Sequence, residues 1–151
     1  MVPEQPSYDA ILPIFVYGTL RTGERNWLLL LRGYTISERP AVAPDHVMSA
    51  RGVPFVADGA GVVVGEVMEI CPENYVAVIQ TLDELEGFDP QTGEGWYVRV
   101  ARMVLVNNKP LLVWVYHGSA ATLHDFAAAE QIVSGDWLAY KVELHGGRLY
   151  E

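Results

Sequence analysis

The sequence predicts an α+β domain: a small, mostly antiparallel sheet, curved enough to close into a barrel, with helices on its flanks. Three observations lead there. Strand-like segments outnumber helix-like ones, a long alternating hairpin occupies Trp96 to Tyr116, and one amphipathic helix runs from Pro72 to Glu86. No repeat or linker divides the 151 residues, a length that one domain can fold around a single core. Residues 11–151 therefore read as one domain. Residues 1–10 hold two prolines and little apolar periodicity, and read as a flexible arm.

Taken in order, Leu12 to Tyr17 is a short apolar run halted by Gly18, the pattern of a buried strand. Asn26 fits an N-cap for a short helix through Leu31, closed by Gly33. From Tyr34 to Gly61 prolines and glycines recur, which predicts only short strands between turns. Gly61 to Ile70 is β-branched, and Gly65 within it marks a bulge or a close backbone approach. Pro72 suits the first turn of a helix and Gly87 its end. In the hairpin, Trp96, Val98, Val100, Val104 and Val106 alternate with Tyr97, Arg99, Ala101 and Met103, and Asn107-Asn108 before Pro110 forms the turn. Leu111 to Tyr116 is the returning strand, and from Thr122 onward the pattern is a short helix and an irregular tail.

Composition narrows the function. Ten basic against nineteen acidic residues give a formal net charge of −9, with no basic cluster to neutralise phosphates. Nucleic acid and anionic membranes are therefore not expected partners, and no apolar run approaches the roughly 20 residues of a membrane span. The first twenty residues lack Lys and Arg, so no secretory start is read, and the single Cys71 suits a reducing cytoplasm. Thiol chemistry at Cys71 has no neighbouring cation in sequence to support it. His46, His117, His124 and His145 are scattered, with no pair at metal-ligand spacing, and read as solvated or capping residues. The high apolar fraction leaves room for a weak homodimer.

One residue breaks the helical pattern. At about 100° per residue, Tyr75, Val78, Ile79, Leu82 and Leu85 fall within an arc of roughly 120°, the stripe that faces a core. Glu84 projects from the opposite side and Asp83 lies near the boundary. Glu86 falls inside the apolar arc. Such a carboxylate is either frayed into water at the helix end or held over a pocket, where desolvation raises its pKa and makes it a proton carrier. A second candidate is Tyr17-Gly18-Thr19-Leu20, where a strand ends in a glycine turn whose backbone N–H groups can cradle a carboxylate.

These segments together resemble the γ-glutamylcyclotransferase-like family, which includes the AIG2-like proteins. The resemblance runs through Phe15-Val16-Tyr17-Gly18-Thr19-Leu20-Arg21, Gly23-Glu24-Arg25-Asn26, Pro54, and Val64-Gly65-Glu66-Val67. It continues in Leu82-Asp83-Glu84-Leu85-Glu86-Gly87-Phe88, Tyr97-Val98-Arg99, Trp114-Val115-Tyr116 and Ser134-Gly135-Asp136-Trp137. Residues 33–52 match poorly, and Met68 stands where relatives often carry an aromatic. The resemblance implies a barrel with a cavity at one side, a glutamyl-binding loop at Tyr17, Gly18, Thr19 and Leu20 with Tyr97 beside it, and Glu86 as the catalytic group. It implies an intramolecular reaction: the α-amine of a γ-glutamyl compound attacks its own γ-amide, releasing 5-oxoproline and an amine or amino acid. That chemistry requires no metal or organic cofactor. The alternative is a non-catalytic binding or regulatory module of the same fold.

Overall fold

The computed structural model describes residues 2–125 and 129–144, and its two longest strands lie where the sequence looks most broken. Strands β2 (Thr35–Ala50) and β3 (Pro54–Ile70) pair antiparallel from Thr35 opposite Ile70 to Ala50 opposite Pro54. The expectation of short strands between turns over Tyr34 to Gly61 is thus corrected. Pro40 and Pro44 are tolerated because β2 has only one continuous ladder, the one to β3. Its other edge meets the sheet again at a single pair, Val42 opposite Leu105, and at the two-residue strand Glu130–Gln131. Between Pro44 and His46 the register slips, and Asp45 takes φ 58°, the signature of a bulge.

Strand β1 (Ile14–Val16) pairs antiparallel with β3 and parallel with β7 (Lys109–Gly118). Strand β7 forms a hairpin with β6 (Tyr97–Val106), turned by Asn107 and Asn108 at φ 51° and 62°. The circuit β3-β1-β7-β6-β2 returns to β3, so the sheet is barrel-like, with β8 (Glu130–Gln131) added on β2. Two short strands, β4 (Phe88–Asp89) and β5 (Glu94–Gly95), pair with each other between the main helix and β6.

Both faces of the sheet are covered, which is why Ile14, Phe15 and Val16 are all buried. Phe15 packs inward with Val63, Val67, Val104, Val113 and Val115. Ile14, Val16, Met68, Trp114 and Tyr116 face outward against helix α1 (Tyr75–Glu86) through Val78, Ile79 and Leu82. Each fully buried aliphatic side chain of this kind contributes about 1.5–3 kcal/mol. The close fit of β1 on β3 depends on Gly65, where a Cβ would stand 2.2 Å from the Val16 carbonyl oxygen.

A 3₁₀ turn opening on Pro72 leads into α1, and Gly87 in the left-handed conformation ends it, its N–H bonding the carbonyls of Asp83 and Glu84. Leu85 does not join the core stripe. It is 44% exposed. The short helix expected after Asn26 exists as a π-helix, Trp27–Leu31, but Asn26 does not cap it. Its amide instead donates to the Thr19 hydroxyl at 2.7 Å. Helix α2 (Ala120–Asp125) follows β7, and helix α3 (Trp137–Leu144) occupies part of the expected irregular tail. Residues 2–13 carry no helix or strand, yet the Gln5 amide side chain pairs with both backbone groups of Ala101.

Candidate active site

The chain leaves β1 at Val16 and enters the turn at Gly18, pressed against the edge of the barrel. A Cβ at Gly18 would lie 2.9 Å from the Pro54 ring, so glycine is what allows the approach. The carbonyls of Gly18 and Thr19 accept hydrogen bonds from the N–H groups of Arg21, Asn26 and Trp27. Among the described residues, the N–H groups of Gly18, Thr19 and Leu20 are not used in the turn itself. Arg21 then anchors the loop from behind. Its guanidinium bonds Glu66 on β3 at 2.8 Å and Asp136, just before α3, at 3.2 Å, while Glu66 also accepts from the Thr22 N–H. Two of the sequence segments that carry no chemistry of their own, Val64–Val67 and Ser134–Trp137, thereby fix the glycine turn in place.

This loop and the end of α1 enclose one cavity of about 210 Å³. Its walls include Tyr17, Gly18, Thr19 and Leu20, with Pro54, Glu86 and Tyr97 facing them. All six residues singled out from the sequence are therefore brought together, and Leu85 lines the same space. Glu86 is mostly buried, and among the described residues no hydrogen bond to its carboxylate is found. Burial pushes its pKa up to about 7. At neutral pH such a group is divided between acid and base, the condition under which one carboxylate can both take and give a proton.

Two phenols complete the wall. The Tyr17 hydroxyl donates to the Tyr116 carbonyl at 2.7 Å, and the Tyr97 hydroxyl to the Pro54 carbonyl at 2.7 Å. Burial raises both pKa values, and the Glu86 charge raises them further, so both stay protonated with oxygen lone pairs left to accept. Among the described residues, no Lys, Arg or His lines the cavity. An anionic ligand group there would meet neutral donors, the backbone N–H groups of the turn with the Asn26 amide and Thr19 hydroxyl beside them.

Behind the cavity lies a cluster that the sequence did not disclose. Asp83, expected near the boundary of the apolar arc, is buried and bonded by Arg99 at 2.9 and 3.0 Å and by the Tyr116 hydroxyl at 2.7 Å. Arg99 in turn lies over the rings of Trp114, Tyr8 and Phe88. The available signal was Arg99 itself, one of two arginines, with Arg102, in a mainly apolar strand. The reading of His46 and His117 as solvated or capping is also corrected. Both are buried, with their Nε2 atoms 2.8 Å apart, and burial together with His46 pushes the His117 pKa down to about 3. Register explains why spacing missed them: His117 continues the inward alternation of Val113 and Val115, and the bulge at Asp45 turns His46 to meet it across 71 residues. His124 is exposed at the end of α2, His145 lies outside the described residues, and Cys71 is outside the cavity.

The comparisons agree with this geometry at the level of fold and family. The model of the family described as γ-glutamyl cyclotransferase, AIG2-like, matches residues 14–139. A γ-L-glutamyl-butirosin B γ-glutamyl cyclotransferase from Niallia circulans is 30% identical over 104 residues, which is 68% of this chain and 64% of that protein. The match thus spans less than two thirds of the length of that relative. Among solved structures, an AIG2-like protein from Mus musculus superimposes with a TM-score of 0.64 at 22% identity, covering 93% of this chain and 95% of the other. YkqA from Bacillus subtilis gives a TM-score of 0.65 at 24% identity over 89% of this chain and 42% of its own. With its family model spanning most of the residues from β1 to α3, the chain belongs to the γ-glutamyl cyclotransferase, AIG2-like family.

Proposed function

We propose that the protein is a γ-glutamyl cyclotransferase that releases 5-oxoproline from a γ-glutamyl amide. The observation that carries this reading is Glu86: a mostly buried carboxyl group whose pKa burial pushes up to about 7, in one cavity with a glycine turn whose N–H groups, among the described residues, are unused by the turn. In this reading the N–H groups of Gly18, Thr19 and Leu20 receive the substrate α-carboxylate or the developing oxyanion. The phenol oxygens of Tyr17 and Tyr97 accept from the α-ammonium. Glu86 takes one proton from that ammonium and frees the nitrogen lone pair. The nitrogen attacks the γ-carbonyl carbon, closing a five-membered ring. The amide C–N bond then breaks as Glu86 returns its proton to the departing nitrogen, and the ring nitrogen sheds its remaining extra proton to the released amine. Holding the substrate folded supplies part of the acceleration, up to about 7–11 kcal/mol in the best intramolecular cases, and proton transfer about 10²–10⁴-fold.

The test is a panel of γ-glutamyl amines and γ-glutamyl amino acids given to purified protein, with 5-oxoproline measured as product. Release of 5-oxoproline, lost when the α-amino group is blocked, is the expected result. Activity that survives blocking points to water as nucleophile instead. Saturable binding without product, by folded protein, supports the non-catalytic module.

A further inference from the structure

We propose that His46, His117 and Asp58 form a binding site for a divalent transition-metal ion, zinc by preference, that staples the β2–β3 hairpin to β7. The three side chains come from three strands, and one ligand atom from each lies within 4.8 Å of the others. His46 and Asp58 are directly opposed in the β2–β3 register, beside the bulge that turns His46 inward. His117 reaches them from β7, on the face opposite that of Tyr116.

The hydrogen bonds fix which atoms are presented. A carbonyl only accepts, so the 2.9 Å contact between His46 Nδ1 and the Pro44 oxygen places a proton on Nδ1 and leaves Nε2 with its lone pair free. Metal-bound histidines are oriented by this same arrangement. For the two imidazoles to bond each other, His117 must then supply the Nε2 proton shared at 2.8 Å. Binding moves that proton to Nδ1 of His117 and opens the gap between the two Nε2 atoms by about half an ångström, to the separation of two ligands at about 2.0–2.1 Å in a tetrahedron. Asp58 supplies the anionic ligand. Its carboxylate is held by Arg102 at 2.9 and 2.8 Å, which orients it while leaving further lone pairs to coordinate. The side chain is 47% exposed, so water reaches the fourth position. Two imidazoles, one carboxylate and water suit zinc better than calcium or magnesium, which prefer all-oxygen shells.

The site is separate from the proposed chemistry but bears on its walls. The hairpin tip carries Val53 and Pro54 into the cavity, where Pro54 touches Gly18 and accepts from Tyr97. The test is zinc titration of chelator-stripped full-length protein, read by equilibrium dialysis, by thermal melting, and by the visible spectrum with cobalt in place of zinc. Expected are one equivalent bound, a melting temperature raised by about 5 °C or more at a hundredfold excess over Kd, and no such response to magnesium. Asp58→Asn, at a half-exposed position, should weaken binding tenfold or more. His117→Gln should abolish it in protein whose circular dichroism is unchanged, and Asp58→Asn decides the matter if that variant does not fold. No saturable zinc binding by folded wild-type protein, or wild-type affinity in Asp58→Asn, overturns the proposal.

Discussion

Asp83 and Glu86 lie almost one turn apart on the same helix, bear the same carboxyl group, and are both largely withdrawn from water, yet they are equipped for opposite work. Asp83 receives two hydrogen bonds from Arg99 and one from Tyr116, and Arg99 is itself enclosed by three aromatic rings. Glu86 has burial and, among the described residues, no matching donor, and its proton is correspondingly hard to remove. The difference shows that position on the helix sets only which wall a carboxylate faces. The partners on the sheet decide whether it becomes a fastening between α1 and β6 or a group free to exchange protons.

The largest effect should come from breaking the fastening. Asp83→Ala leaves Arg99 buried without its counter-charge and should cost about 3–5 kcal/mol in urea denaturation. A loss under about 1 kcal/mol would mean that the aromatic rings alone hold the guanidinium.

Glu86→Gln should do the reverse. Turnover on the accepted γ-glutamyl substrate should fall at least about 10²-fold while binding persists, and turnover close to wild type would remove Glu86 from the mechanism. Stability should respond with the opposite sign. The folded-state pKa of about 7 lies above the ordinary value of 4.5, so the folded protein holds this proton more tightly than the unfolded chain. The contribution is fully present below about pH 4.5 and is lost as pH rises through 7. Relative to wild type, Glu86→Gln should gain about 1–3 kcal/mol between pH 4.5 and 8, measured as the difference between their unfolding free energies at each pH. A pH-independent difference would place the carboxylate in ordinary solvent.

Tyr97→Phe tests the smallest part of the contrast. It removes the hydrogen bond to Pro54 from the cavity that Tyr97 shares with Glu86. The expected cost is about 1 kcal/mol of stability, with a several-fold rise in KM on the accepted substrate. Unchanged KM would confine Tyr97 to holding the hairpin tip.

Elements whose information is local were legible from the chain. The helix from Pro72 to Gly87 was bounded by residues that suit its ends, and the hairpin turned on Asn107 and Asn108 as its pattern required. Strands β2 and β3 were not, because Pro40, Pro44, Gly59 and Gly61 look like interruptions until one sees a long ladder on one side and a nearly free edge on the other. The site divides in the same way. Glu86 betrayed itself by standing in an apolar arc. The partners of Asp83 sit 16 and 33 residues away, and His46 is 71 residues from His117, so nothing in local spacing could pair them.

The three residues of β1 have a consequence for how the molecule is assembled. The β2–β3 and β6–β7 hairpins close through neighbouring sequence, whereas β1 must be laid between β3 and β7, pairing in parallel with residues about a hundred positions away. Contacts of that separation form late, because the loop they close has lost its freedom before the contact repays it. The glycine turn follows β1 directly, so its shape depends on the last strand to dock. A nascent or partly unfolded chain would then hold both hairpins without a cavity, and could bind ligand only after its beginning has found its place between strands made much later.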